Sequence, residues 1–233
     1  MTPERARRLP ALLFDMDGTL LDSIGLIVES AVYAFDGREG PRPTREEWQA
    51  LIGTPLDAML AHWATDPADA AFLKGRYRHF QIANHDRFVR LYDGVDETLR
   101  ALHAAGHPLA IVSSKLDEGI RRSMDYFCLT PLFDAIVGID HTTRHKPHPE
   151  PVEFALARLR VGPDEALFIG DSPHDVEAGN AAGVRCVAVT WGAFTHEAIA
   201  PARPAHWIER MADRKSTRLN SSHVALSRMP SSA

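Results

Sequence analysis

The chain has 233 residues, 45% of them hydrophobic, and carries a formal net charge of −5. That is enough apolar material for one large domain, or for a domain with an insertion. The mild acidity without a basic block argues against nucleic acid as a partner, and no apolar run reaches membrane-spanning length. Met1 to Arg8 is basic, but the apolar stretch after it is too short for the core of a signal peptide. Cys128 and Cys186 give no disulfide framework. Both thiols are expected to be small buried side chains in a reducing, cytoplasmic setting.

The first element is the strand Ala11-Leu12-Leu13-Phe14, which runs straight into Asp15-Met16-Asp17-Gly18-Thr19. Four consecutive apolar residues suit a strand covered on both faces, as in a parallel sheet. Gly18 ends it and frees the backbone to turn. Side chains two apart on a strand share a face, so Asp15 and Asp17 are expected to enter one pocket while Met16 packs away.

From Ser23 to about Arg90 the pattern is helical. Ile24, Ile27, Val28, Ala31, Val32 and Phe35 form an amphipathic stripe, with Asp22 or Ser23 as N-cap. Thr44 to Glu47 reads as a capping box. Thr54-Pro55 and Asp66-Pro67 open two further helices, the latter carrying Ala70, Leu73, Tyr77 and Phe80 in register. Trp48, Trp63 and Tyr77 fall on apolar faces and read as core. Lys74, Arg76, Arg78, His79 and Arg87 read as a solvated face from which one residue can meet a substrate carboxylate.

After Tyr92-Asp93-Gly94 the rhythm changes. Buried strands at 108–113, 134–138, 166–170 and 184–190 alternate with helices, which implies βαβ units and a parallel sheet. The expected architecture is therefore α/β. Residues 1–21 and 91–213 form a discontinuous core and 22–90 an inserted helical cap. The tail, 214–233, is rich in Ser and Arg without periodicity. It reads as a disordered terminus and resembles translated adaptor sequence.

Four strand ends in this scheme carry polar groups: Asp15 and Asp17, then Ser113 and Ser114, then Lys146 in the loop before Pro147, then Asp171 and Asp175. Carboxylates about 4 Å apart repel by roughly 4 kcal/mol per pair at an effective dielectric near 20. Four of them need cations, and Lys146 is one. An oxygen-only donor set suits Mg²⁺, which favours an anionic, phosphorylated substrate. An aspartate is also a competent nucleophile toward phosphorus, and a second one two residues away can serve as acid and base.

Asp15-Met16-Asp17-Gly18-Thr19-Leu20-Leu21-Asp22-Ser23, Ile111-Val112-Ser113-Ser114-Lys115, Lys146-Pro147-His148-Pro149-Glu150-Pro151 and Gly170-Asp171-Ser172-Pro173-His174-Asp175 resemble, in order, the four motifs of the haloacid dehalogenase-like hydrolase superfamily. The resemblance spans about residues 10 to 210. It implies a Rossmann-like doubly wound parallel sheet with an all-helical cap. It implies Asp15 as nucleophile, Asp17 as general acid/base, and Ser113 and Lys146, with Ser114, on the phosphoryl group. It also implies Mg²⁺ on Asp15, the main-chain oxygen of Asp17, and Asp171, with Asp175 supporting.

Leu51-Ile52-Gly53-Thr54-Pro55-Leu56 and Leu91-Tyr92-Asp93-Gly94-Val95 resemble the phosphoglycolate phosphatase-like branch. The implied function is hydrolysis of a small phosphorylated metabolite by a monomer or homodimer. A phosphosugar mutase, an inorganic pyrophosphatase and a non-catalytic phosphometabolite-binding protein are the alternatives. Lys115 reads as a solvated helix-start lysine. His141, His145, His148 and His174 read as incidental loop residues.

Overall fold

The computed structural model describes residues 9–211, so the predicted tail lies outside the described residues. In chain order the strands are β1 (Ala11–Phe14), β2 (Leu21–Asp22), β3 (Arg90–Leu91), β4 (Leu109–Val112), β5 (Ala135–Val137), β6 (Ala166–Gly170), β7 (Arg185–Val189) and β8 (His206–Ile208). The helices are α1 (Ile24–Phe35), α2 (Arg45–Gln49), α3 (Leu56–Ala61), α4 (Pro67–Phe88), α5 (Val95–Ala104), α6 (Asp117–Tyr126), α7 (Glu150–Leu159), α8 (Pro173–Ala181) and α9 (His196–Ile199).

Six strands form a parallel sheet in the order β5-β4-β1-β6-β7-β8. Alternation assigns its two faces. Leu12 and Phe14 of β1, Leu109 and Ile111 of β4, and Leu167 and Ile169 of β6 join one core with Val95, Leu99, Ile120 and Met124 of α5 and α6. Ala11, Leu13, Ala110, Val112 and Phe168 face the other way, against Val152, Leu156 and Val176 of α7 and α8. Each central strand is buried on both sides, which is why its sequence shows no polar alternation. The chain steps from β1 to β4 and β5 on one side, then returns to β6 on the other. The reversal falls between β1 and β6, where sheets of this kind open a crevice at the carboxyl ends of the strands.

The helices α1 to α4 lie between β2 and β3. They enclose a separate core of Ile27, Phe35, Trp48, Met59, Leu73 and Tyr77, with Trp63 packed against it. Trp48 is fully buried among Phe35, Trp63 and Tyr77. Two of the expected helix starts are built as read. Thr44 and Glu47 form a reciprocal capping box, and the Asp66 side chain accepts from the amides of Ala68 and Asp69.

Several expectations are corrected. The chain enters and leaves the helical segment through a two-stranded antiparallel ribbon, Leu21 opposite Leu91 and Asp22 opposite Arg90, where no strand was expected. Two residues per strand are too few to register as a pattern. Ser23 stands at the N-cap of α1 but makes no cap bond; its hydroxyl donates to Asp17 instead, at 2.6 Å. Val32 is exposed, whereas Leu26, Ser30 and Ala34 are buried, because α1 is covered from more than one side. Cys186 is buried but Cys128 is exposed, just past the end of α6 with φ +55°. β8, after the predicted elements, adds a sixth strand beside β7. No described helix is long and apolar enough to cross a membrane.

Removing the indole that fills the helical core leaves a cavity. Trp48→Ala should destabilise the fold by about 3 kcal/mol or more in urea unfolding. A change within about 0.5 kcal/mol would mean that this core contributes little to stability.

Candidate active site

β1 extends by one residue beyond its formal end. The amide of Asp15 donates to the carbonyl of Ile169 at 2.9 Å, so Asp15 keeps strand geometry at the β1–β6 crevice. The chain then turns at Gly18, where φ is +91°. A Cβ there would stand 2.2 Å from Asp171 Oδ2, so only glycine lets the turn approach that carboxylate. On the neighbouring strand, the amide of Ser113 donates to the Val137 carbonyl at 2.9 Å, which brings Ser113 to the same edge.

Lys146 reaches this point from the loop before α7. Its Nζ donates to Asp15 Oδ1 at 2.6 Å, to Asp175 Oδ1 at 2.6 Å and to the Val112 carbonyl at 3.3 Å. All three side chains are buried. Asp175 is set by the start of α8. Ser172 caps that helix, and Asp175 Oδ2 accepts from both the Ser172 amide and hydroxyl. Asp171 accepts from the Thr19 hydroxyl at 3.0 Å and from the Ala193 amide at 2.8 Å.

Oxygens of Asp15, Asp171 and Asp175 lie within 4.8 Å of one another. One ammonium therefore faces three buried carboxylates. Burial raises the pKa of Asp15 well above the usual carboxylate range; Lys146 opposes this, while Asp175 and Asp171 add to it. Asp171 is pushed up to about 7 by burial and by Asp175, against the help of the Ala193 amide, Thr19 and Lys146. Burial disfavours the charged Lys146, but Asp15 and Asp175 more than reverse this and hold it above the usual lysine value. The cluster thus lacks positive charge. Its donors are all carboxylate oxygens, so the residues present fit a hard divalent cation.

Asp17 departs from the expected carboxylate set. Its side chain accepts from Ser23 at 2.6 Å and from Lys115 Nζ at 2.9 and 3.1 Å, and it stands apart from the three-carboxylate group. The reading of Lys115 as solvated is corrected with it. Its side chain is only 14% exposed and forms an ion pair with Asp17. Sequence spacing hides this pairing because 98 residues separate the two partners. The expectation for Ser114 also changes, since its hydroxyl donates to the Gly53 carbonyl at 2.6 Å. That bond ties the strand-end loop to the helical segment.

Two of the histidines are engaged locally: His141 Nδ1 accepts from the Gly138 amide, and His148 Nδ1 from the Glu150 amide, whereas the buried Nδ1 of His145 has no partner. Among the described residues none joins a potential metal group. His174 lies beside Gly53, with a buried Nδ1 that has no partner. Thr19 and Ser172 were not singled out from the sequence. Their signals were present, one directly after the turn glycine and the other before Pro173 with an aspartate three residues on.

A cavity of about 460 Å³ opens over the site. Asp15, Asp17, Ser113, Ser114 and Lys115 form its floor, and Ile52, Met59 and Tyr77 lie on the side of the helical segment. Lys74 and Arg78, expected to be solvated, also line it. Arg76 instead donates to the Tyr33 and Asp36 carbonyls, and Arg87 stacks on Phe88.

A family model described as haloacid dehalogenase-like hydrolase matches residues 12–189. The pyrophosphatase PpaX of Anoxybacillus flavithermus is 36% identical over 202 residues, covering 87% of this chain and 93% of its own. That of Bacillus velezensis is 35% identical over 207 residues, covering 89% and 95%. A crystal structure described as a predicted phosphoglycolate phosphatase from Haemophilus somnus superposes with a TM-score of 0.79 at 26% identity. It covers 87% of this chain and 94% of its own.

The charge deficit has a thermodynamic signature. Asp171 has a higher pKa folded than unfolded, so its contribution is fully present below the unfolded value and is lost as pH rises through about 7. In EDTA, the Tm should therefore fall more between pH 5 and pH 8 for the parent than for Asp171→Asn. Mg²⁺ should raise the parent Tm more at pH 8 than at pH 5, and should leave the variant nearly unmoved. Parallel pH profiles for the two proteins would refute the assignment.

Proposed function

The chain belongs to the haloacid dehalogenase-like hydrolase family, and from that premise we propose that it is a Mg²⁺-dependent phosphatase. In this reading it hydrolyses a small phosphorylated metabolite through an aspartyl-phosphate on Asp15. The observation that carries the reading is the buried Lys146 ammonium bridging Asp15 and Asp175 beneath an open cavity.

Lys146 occupies Asp15 Oδ1 and leaves Oδ2 to attack phosphorus. Holding the nucleophile at a fixed point removes much of the entropy cost of the encounter. In its acid form, with the Lys115 pairing released, Asp17 gives its proton to the leaving oxygen as the P–O bond to the leaving group breaks. Asp17 then takes a proton from water, whose oxygen attacks the aspartyl-phosphate, releasing phosphate and restoring Asp15. Ser113 and Lys146 stabilise the charge on the phosphoryl oxygens. Mg²⁺, held by Asp15 and Asp171 with Asp175 behind them, supplies further charge neutralisation when bound.

Hydrolysis of pyrophosphate on the same groups is the second reading, and it is favoured by the names of the 35–36% identical relatives. Release of phosphate from pyrophosphate and from phosphoglycolate, compared side by side, separates the two.

Asp15→Asn should lower turnover at least about 10³-fold, as expected for removal of a covalent nucleophile, with the fold retained by circular dichroism. Asp17→Asn should let the phosphoenzyme accumulate, read as added phosphate on Asp15 by acid-quenched mass spectrometry. EDTA should abolish activity and Mg²⁺ restore it. Turnover near the parent's in Asp15→Asn would end the nucleophile assignment.

A further inference from the structure

The reading above accounts for the phosphoryl end of the cavity and leaves its far wall unexplained. That wall is α4. Lys74, Tyr77, Arg78 and Gln81 recur at helical spacing and all face the cavity. Four cationic side chains line the space, and three of them are engaged. Lys74 is paired with Asp57 at 2.6 Å, Lys115 with Asp17 at 2.9 Å, and Arg122 donates to the Ile82 carbonyl at 2.9 Å. Arg78 is half-buried and has no hydrogen-bond, ion-pair or ring partner among the described residues.

The neighbouring arginines on the same helical segment show what this setting normally brings. Arg38 is held by Asp69 and the Trp63 carbonyl, Arg45 by Glu29, and Arg76 by Tyr33 and Asp36. A guanidinium left half out of water, with its five donors unused, is a ready receptor for a planar oxyanion, which it binds through two parallel hydrogen bonds. The acidic residues on the same cavity make no ion pair with it. Asp57 is bound to Lys74, Asp17 to Lys115, and Glu118 is exposed to solvent.

We propose that Arg78 is a specificity residue that receives a second anionic group, a carboxylate or a phosphate, on the half of the substrate that leaves. The inference rests on the phosphoryl-transfer reading for the orientation of the substrate, with its scissile phosphate at Asp15. It excludes simple neutral-alcohol phosphates as good ligands.

The test is binding rather than turnover, so that it stands apart from the catalytic assignment. Calorimetry in Mg²⁺ is run on Asp15→Asn, which leaves ligands intact, with phosphoglycolate, pyrophosphate and methyl phosphate. All three share a phosphoryl end, and only the first two carry a second anion. The expected result is that at least one of these two binds about tenfold or more tightly than methyl phosphate, as charge-assisted hydrogen bonds allow. Adding Arg78→Ala should erase that advantage, and Arg78→Lys should keep part of it. The ligand that loses more identifies the group as carboxylate or phosphate. An advantage that is missing from Asp15→Asn, or that survives Arg78→Ala, overturns the proposal. A failed phosphoryl reading shows separately, as absent phosphoenzyme in Asp17→Asn.

Discussion

The arrangement turns on one buried ammonium. Lys146 sits between Asp15 and Asp175 at 2.6 Å from each, and a third carboxylate, Asp171, shares the space. A buried ion pair is weak evidence for stability, because desolvation cancels much of its attraction. Here the balance is worse, since the acids outnumber the base. Such a cluster persists in a fold because it serves something other than stability, and the uptake of a divalent cation is the reading its excess of acid supports.

The scaffold explains how that imbalance is held. Each acid is placed by short groups, backbone amides and the hydroxyls of Ser172 and Thr19. Asp15 rides on the last hydrogen bond of β1, and Asp175 is fixed in the first turn of α8 by Ser172. Asp171 is gripped between Thr19 and the Ala193 amide. The donors around Asp171 come from segments on either side of the β1–β6 reversal. Sheet order therefore brings together groups that lie more than 150 residues apart in the chain.

Much of this was legible in the sequence, and the limits have physical reasons. The apolar runs ending in Asp15, Ser113 and Asp171 were readable because strands buried on both faces leave no other pattern. The capping residues Thr44 and Asp66 were readable because their bonds are local. Lys115 and Ser114 were misjudged because their partners, Asp17 and Gly53, are remote, and periodicity carries no information about a contact across 61 or 98 residues. The β2–β3 ribbon escaped notice since two-residue strands have no period. Cys128 was misplaced because its exposure follows from the end of a helix and not from its type.

The ribbon has a consequence of its own. Leu21 and Leu91 are partners, so the sixty-odd residues between them begin and end at nearly one point in space. Whatever that excursion becomes, the sheet beyond it keeps its register. A lineage can lengthen, shorten or replace the excursion without disturbing the strands that hold the acids. The chemistry and the choice of what to act upon can thus diverge at different rates within a single reading frame.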